Sequence, residues 1–198
     1  MTGLAPARLK FTNHAPGHPD GFVPPGKVIG EAPSVRHLDL AYETIAERLK
    51  EAGYATGFVG KWHLSHRPRN AEEGHAEIEL RPEHQGFDLN VGGCARGGPP
   101  SYFAPYNIPA IKGLEEGEYL PERLADECID FVRLHRERPF FLSWWNYSVH
   151  YPFQAPKALI EKYESRKGPG NENPTYSAMI EGMDRSIGRF LKQLDKLD

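Results

Sequence analysis

The chain has 198 residues, a length typical of one domain with its own hydrophobic core. Hydrophobic residues make up 39% and charged residues 26%, which excludes a disordered chain and a bundle of membrane-spanning helices. The formal net charge of -3 gives no reason to expect nucleic acid as a partner, because nucleic acids bind basic surfaces. Any anion that binds must be attracted by cations placed locally.

Residues 1–37 are rich in proline, glycine and histidine, and we expect an extended surface segment there. Their histidines, His14, His18 and His37, lack ligand spacing, so we interpret them as solvated loop residues. The sequence opens without the apolar core of a signal peptide.

An apolar stripe with steps of three and four residues predicts a helix that is capped by Asp39 and ends at Gly53. The stripe consists of Leu38, Tyr42, Ile45, Leu49 and Ala52. Residues 54–59 then predict a short buried strand. Helix, tight glycine and strand together are typical of half of a wound α/β unit.

This strand ends at Gly60, and Lys61, Trp62 and His63 follow directly. In open α/β sheets, ligands bind just beyond the carboxyl ends of the strands. Lys61 and His63 are two positions apart, so in an extended segment both point to one side while Trp62 turns into the packing. The pattern therefore predicts an anion-binding site.

Residues 65–119 read as a long loop, and we expect it to form one wall of a pocket. Arg96 is a candidate contact for the anion, with a solvated arginine as the alternative. His66, His75 and His84 fit neither a helical pair nor a zinc finger, so we do not expect them to bind metal.

Further helices and a strand complete the predicted fold. Residues 120–136 predict a helix, and the apolar run 139–146 predicts a central strand buried on both faces. His150 follows that run, so two parallel strands would bring Lys61, His63 and His150 to the same edge. A short helix at 156–164 and a long amphipathic helix, starting at Asn173-Pro174 and reaching residue 194, come last. The long helix has a predicted stripe of large apolar residues, which are Tyr176, Ile180, Met183, Ile187, Phe190, Leu191 and Leu194.

Several other side chains receive structural interpretations. We place Trp62, Trp144 and Trp145 in the core and do not expect them to form a sugar-stacking platform. Asp184 is interpreted as a helix-surface or capping carboxylate and not as a metal ligand. Cys94 and Cys128 form no metal or redox pattern, and we expect a loop thiol and a buried helix thiol, with a bridge between them left open.

The segment Gly53-Tyr-Ala-Thr-Gly-Phe-Val-Gly-Lys-Trp-His-Leu64 resembles the second signature of the sulfatases, although Ser65 stands where that family usually has glycine. Further pieces resemble the family in the same order: Gln85-Gly-Phe-Asp88, Tyr102-Phe-Ala-Pro105, Val149-His-Tyr-Pro-Phe153 and residues 176–194. The resemblance extends over nearly the whole chain.

This resemblance implies an α/β fold, a mostly parallel sheet flanked by helices, of the alkaline-phosphatase-like superfamily. Residues 1–198 would be a partial sulfatase catalytic domain, incomplete at both ends. It also implies hydrolysis of sulfate esters, on sulfated carbohydrates or aryl sulfates, with a formylglycine nucleophile and a calcium ion. Lys61 looks like the lysine that contacts the sulfate and the nucleophile, His63 like the histidine on the formylglycine hydroxyl, and His150 like the histidine at the scissile oxygen.

The chain departs from the family pattern in one respect that matters for activity. It contains no Cys-x-Pro-x-Arg motif, and the aspartates that hold calcium in the family have no counterparts, so we expect no turnover from these residues alone. A phosphodiesterase or phosphonate hydrolase of the same superfamily remains an alternative, as does a non-catalytic remnant that binds an anionic sugar. Family habit leads us to expect export to the periplasm or the cell exterior.

Overall fold

The structure, a computed structural model, describes residues 1–14, 21–66, 77–109, 111–112 and 115–197. His18 and His75 lie outside these ranges. The strands are β1 (Ala55–Gly60), β2 (Leu89–Val91) and β3 (Phe140–Trp145). The helices are α1 (Ile45–Glu51), α2 (Leu120–His135), α3 (Lys157–Glu164) and α4 (Pro174–Leu194), with two 3-10 turns at Glu77–Leu80 and Pro82–His84.

The three strands form one parallel sheet in the order β2-β1-β3. All residues of β1 are buried, and Gly57 aligns with Leu89 on one side and Leu142 on the other. The prediction that residues 139–146 form a central strand buried on both faces is wrong for the described sheet. β3 lies at its edge, where among the described strands only β1 pairs with it, and Ser143 is its one buried residue.

The first helix is shorter than its apolar stripe predicted. Thr44 caps α1 with a capping box, in which the Glu47 backbone N–H donates to Thr44 Oγ1 over 3.2 Å and the Thr44 N–H to Glu47 Oε2 over 2.6 Å. Asp39 instead accepts from the Ala41 N–H at 2.9 Å and holds a turn. Asp39 is therefore a turn residue, and the predicted cap is wrong.

The sheet has a different layer on each face. On one face the helices α2, α3 and α4 pack over a core that includes Val59, Leu124 and Met179. On the other face, beside α1, lies an aromatic cluster in which Phe58 meets Trp62 and Phe87 edge to face at 5.2 and 5.4 Å. Both layers reach the carboxyl ends of β1 and β3.

The long helix α4 begins as predicted, with Asn173 Oδ1 accepting from the Tyr176 N–H at 3.0 Å. Its buried face differs from the predicted stripe of large apolar residues and consists of Ala178, Met179, Gly182 and Ser186. Small residues are needed because a Cβ on Gly182 would lie 3.0 Å from the Tyr119 ring. Ile180 and Leu191 remain 43% and 51% exposed.

Cys94 and Cys128 are both buried and are not bonded to each other. Cys128 lies on α2 and Cys94 in the loop after β2, as the sequence predicted. Burial raises the pKa of the Cys128 thiol far above its usual value.

Candidate active site

Gly60 turns the chain sharply at the end of β1. Its φ is +114°, and a Cβ there would overlap the carbonyl oxygen of Trp145. The same oxygen accepts from the Lys61 backbone N–H at 2.7 Å. The ends of β1 and β3 are therefore joined where the signature segment leaves the sheet.

His63 has an unusual backbone and a constrained ring. Its φ is +60°, in the left-handed region that few non-glycine residues adopt. Its N–H donates to the Cys94 carbonyl at 2.9 Å, and its ring is close enough to Gly97 that a Cβ there would lie 2.7 Å from Cε1. Between Lys61 and His63, Trp62 is buried and donates from Nε1 to the Leu80 carbonyl at 3.1 Å.

His150 follows β3 and is exposed. Its backbone N–H donates to the Tyr102 hydroxyl at 3.0 Å, and that hydroxyl donates to the Tyr147 carbonyl at 2.7 Å. His150 Nδ1 lies 3.0 Å from the Tyr151 carbonyl oxygen. Because a carbonyl oxygen only accepts, Nδ1 carries the proton, and Nε2 is left for a ligand.

The loop after β2 brings the two histidines to one place. Gly97 faces the His63 ring, and its neighbour Gly98 faces the His150 ring, where a Cβ would lie 2.9 Å from Cε1. Adjacent residues thus contact both rings, and the two side chains lie at one edge of the parallel sheet. Arg96 directly precedes this pair and is exposed.

A cavity of about 350 Å³ opens beside Lys61 and His63. Its lining consists of Phe11, Asn13, His14, Lys61, Trp62, His63, Leu64, Trp145 and Asn146. Neither His150 nor Arg96 belongs to this lining within the described part of the chain, so the cavity lies to one side of the pair of histidine rings.

Sequence reasoning misses part of this lining. His14 reads as a solvated loop histidine, and nothing in its spacing links it to residues about fifty positions later. The sequence places Trp145 in the core, but it is 36% exposed and lines the cavity. Its position at the carboxyl end of β3, where ligands collect, is a signal that could have found it.

The positively charged groups at this edge affect one another. Burial, followed by the nearby charges of Lys61, His66, His14 and His150, lowers the pKa of His63 to about 4. Burial also lowers the pKa of Lys61. Without a bound anion, His63 is therefore neutral at pH 7, and Lys61 is the one lysine or arginine among the described residues of the cavity lining.

The cavity lining does not fit calcium. Calcium binds carboxylate and carbonyl oxygens, whereas the described residues of this lining supply an ammonium, imidazoles and amides and no carboxylate. Within the described ranges, no three His, Cys, Asp or Glu side chains form a group that could hold a metal ion. The described residues therefore do not form the calcium site that the family resemblance implies.

The Sulfatase family model matches residues 1–198. The N-acetylgalactosamine-6-O-sulfatase of Bacteroides thetaiotaomicron is 36% identical over 252 residues, covering 100% of this chain and 45% of the relative. The N-acetylgalactosamine-6-sulfatase of Homo sapiens is 30% identical over 220 residues, covering 100% of this chain and 36% of the relative. The chain thus spans less than half the length of either relative.

Solved structures of other proteins also superpose on this chain. The crystal structure of Ps i-CgsB in complex with k-i-k-neocarrahexaose superposes with a TM-score of 0.61 at 25% identity, over 83% of this chain and 39% of that one. A Bacteroides thetaiotaomicron protein, solved in work on the metabolism of multiple glycosaminoglycans, superposes with a TM-score of 0.63 at 18% identity, over 99% of this chain and 44% of that one. The second likeness indicates a shared fold.

No helix in the part of the chain that the structure describes combines the length and the apolar character needed to cross a bilayer.

Three findings lead to one family assignment: the matched family model, the two relatives, and the parallel sheet flanked by helices. The chain belongs to the sulfatase family and has its alkaline-phosphatase-like fold.

Proposed function

We propose that residues 1–198 are part of a sulfatase catalytic domain in which Lys61 binds the sulfate oxygens and His150 serves the scissile oxygen. By family resemblance His63 is the histidine that bonds to the formylglycine hydroxyl, and in this chain, which lacks that motif, it faces the bound sulfate. The observation that carries the proposal is the contact of Gly97 and Gly98 with the rings of His63 and His150, which places the two imidazoles beside one dipeptide. Arg96, next to that dipeptide, is a further candidate contact for the anion.

Each group suits a different part of the reaction. Lys61 donates charge-assisted hydrogen bonds to non-bridging sulfate oxygens, which keep their negative charge throughout. Negative charge develops on the bridging oxygen as its bond to sulfur breaks. A protonated His150 donates from Nε2 to that oxygen, while the Tyr151 carbonyl holds Nδ1.

His63 is neutral at pH 7 until an anion arrives, because burial and its positive neighbours depress its pKa. The negative charge of a bound sulfate offsets the effect of the positive neighbours and favours the protonated form of His63. We therefore propose that sulfate binding and protonation of His63 are coupled, and that the resulting cation also stabilises charge in the transition state.

The sulfatase nucleophile is a formylglycine by family resemblance, and these 198 residues contain no Cys-x-Pro-x-Arg motif that would supply it. We expect the chain alone to bind sulfate without hydrolysing an ester. Clear calcium-dependent desulfation of an aryl sulfate by the chain alone would contradict this.

Sulfated sugars are the substrate class that the relatives favour. Two of them are N-acetylgalactosamine-6-sulfatases, and one neighbour was solved with a neocarrahexaose. Such substrates also agree with export from the cytoplasm, which we expect from family habit.

Titration of the full chain with inorganic sulfate, followed by NMR of the histidine side chains, tests the anion site. We expect shifts at His63 and His150, and a loss of affinity of about tenfold in Lys61→Ala, since a charge-assisted hydrogen bond is removed. Lys157→Ala is the matched control, because this exposed lysine pairs with Glu161 on α3, outside the cavity lining.

The proposal would be overturned if Lys61→Ala and Lys157→Ala lost equal sulfate affinity. It would also be overturned if sulfate shifted the NMR signals of neither His63 nor His150. Inorganic phosphate provides the remaining comparison. A preference of about tenfold or more for phosphate over sulfate would favour a phosphodiesterase or phosphonate hydrolase of the same superfamily.

A further inference from the structure

The two tryptophans at the end of β3 lie on opposite faces of the sheet. Trp144 turns toward the helical layer and meets Phe190 edge to face at 5.6 Å. Trp145 turns to the other face, where it stacks on Trp62 with ring centroids 5.8 Å apart and planes 23° apart. Phe58 meets the same ring edge to face at 5.2 Å. Trp145 is therefore a rigid aromatic surface that remains partly exposed beside the cavity.

The backbone fixes this indole relative to the cation. Trp145 O accepts from the Lys61 N–H at 2.7 Å, so the two residues occupy hydrogen-bonded ends of neighbouring strands. Both side chains line the same cavity of about 350 Å³. Sites of roughly 300 Å³ or more accommodate small organic ligands, and a sulfate ion alone would fill only part of this one.

Asn146 adds a polar group next to the indole. It lines the cavity, and no donor among the described residues reaches its Oδ1. A buried carbonyl oxygen without a donor is unfavourable by about 1–3 kcal/mol. Since no donor in the described ranges holds this oxygen, rotation of the amide can present it to a ligand hydroxyl.

We propose that Trp145 and Asn146 recognise the sugar ring of a sulfated pyranoside and thereby set substrate specificity. The apolar C–H face of the ring packs on the Trp145 indole, a ring hydroxyl donates to Asn146 Oδ1, and the sulfate lies at Lys61 and His63. An indole face and a neighbouring amide suit a pyranose, which has an apolar face and hydroxyls at its rim. The inference rests on the proposed function, because Lys61 and His63 must bind the sulfate.

The experiment uses the full chain labelled with ¹⁵N and follows its three indole N–H signals, with Trp145 assigned from Trp145→Phe. The probes are inorganic sulfate, N-acetylgalactosamine, and the 6-sulfates of N-acetylgalactosamine, galactose and N-acetylglucosamine. We expect at least one sugar sulfate to bind about tenfold more tightly than inorganic sulfate and to shift the Trp145 signal. Magnetisation should also transfer from the Trp145 indole to the sugar C–H protons.

Substitutions identify the residues responsible. Trp145→Ala should bring the ratio of sugar-sulfate to sulfate affinity close to one, and Asn146→Ala should lower it about threefold. Trp144→Phe is the matched control, an aromatic substitution one position away on the opposite face, and should leave the ratio unchanged. If Trp145→Ala does not fold, the magnetisation transfer in the unsubstituted chain decides the question.

The outcomes separate the two proposals. Failure of inorganic sulfate to bind contradicts the proposed function and this inference with it. Normal sulfate binding, with no sugar sulfate bound more tightly or no transfer from the Trp145 indole, overturns the inference alone. An equal fall of the ratio in the Trp144→Phe and Trp145→Ala variants would also overturn it.

Discussion

The carboxyl ends of β1 and β3 each deliver a histidine to the same edge, but they hold it differently. His63 is half-buried, adopts a left-handed backbone, and has its ring against Gly97. His150 is exposed, and its backbone N–H is shared between the Tyr102 hydroxyl and the Tyr147 carbonyl. The end of β1 is therefore rigid and the end of β3 accessible.

This difference suits the two roles proposed for the histidines. A group that binds the unchanging sulfate oxygens benefits from a fixed position, since little reorganisation is then needed. A group that donates a proton to a leaving oxygen needs access to substrate and solvent. Four substitutions and a change of pH test this contrast.

The largest effect is expected at the rigid end. Gly60→Ala would place a Cβ on the Trp145 carbonyl oxygen in a backbone of positive φ, so it should lower the free energy of unfolding by about 3 kcal/mol or more. Urea denaturation followed by tryptophan fluorescence measures it. Gly53→Ala is the control, because Gly53 also has a positive φ but open space around it, and should cost about 1 kcal/mol. Equal losses in the two variants would contradict the close approach of the strand ends.

Tyr102→Phe tests the accessible end. It removes the hydroxyl between His150 N–H and Tyr147 C=O, and should lower the free energy of unfolding by about 1–3 kcal/mol while weakening sulfate binding. Tyr106→Phe is a matched control, because this buried hydroxyl bonds to Glu118 instead. The control should lose similar stability in urea but bind sulfate normally by calorimetry. Weakened binding in both variants would show that the link to His150 is not what matters.

The two glycines of the loop after β2 separate the histidines directly. Gly97→Ala presses a Cβ on the constrained His63 ring and should weaken sulfate binding about tenfold, or about 1.4 kcal/mol. Gly98→Ala meets the exposed His150 ring, which can move, and should weaken binding only about threefold. Calorimetric titration measures the sulfate affinities of the two variants and hence their ratio. A larger loss in Gly98→Ala would reverse the assignment of rigid and accessible ends.

The smallest effect is the pH dependence of sulfate affinity. Burial and neighbouring charge lower the pKa of His63 to about 4 in the anion-free chain, and a bound anion raises that pKa again. The complex then holds more protons, so affinity should rise as pH falls from about 7 toward about 5, by a few-fold. Calorimetry in buffers of different ionisation enthalpy detects the proton uptake. His63→Gln should remove the part of the pH dependence of sulfate affinity that comes from His63. A sulfate affinity that falls on acidification would contradict the coupling of sulfate binding to protonation of His63.

Part of this architecture could be predicted from the sequence. Periodicity predicted α2, α3 and the start of α4, and the positions of His63 and His150 after two parallel strands predicted that both lie at one edge of the sheet. That Lys61, His63 and His150 act on one anion stays a prediction. The start of α1 was misplaced because Asp39 and Thr44 are both good capping residues, and only Thr44 has a glutamate three positions later to complete the box. The strand β2 was not predicted because three residues are too short for a pattern.

Local sequence determined where elements begin and end and which polar groups follow the strands, because caps, glycines and hydrophobic periods act over a few residues. Which strand is central, which face of α4 is buried, and that His14 and Trp145 share a cavity with Lys61 were decided by the tertiary structure. These features depend on the packing of segments far apart in the chain. The pKa of His63 depends on the same packing, because burial and the charges of four other residues set it together.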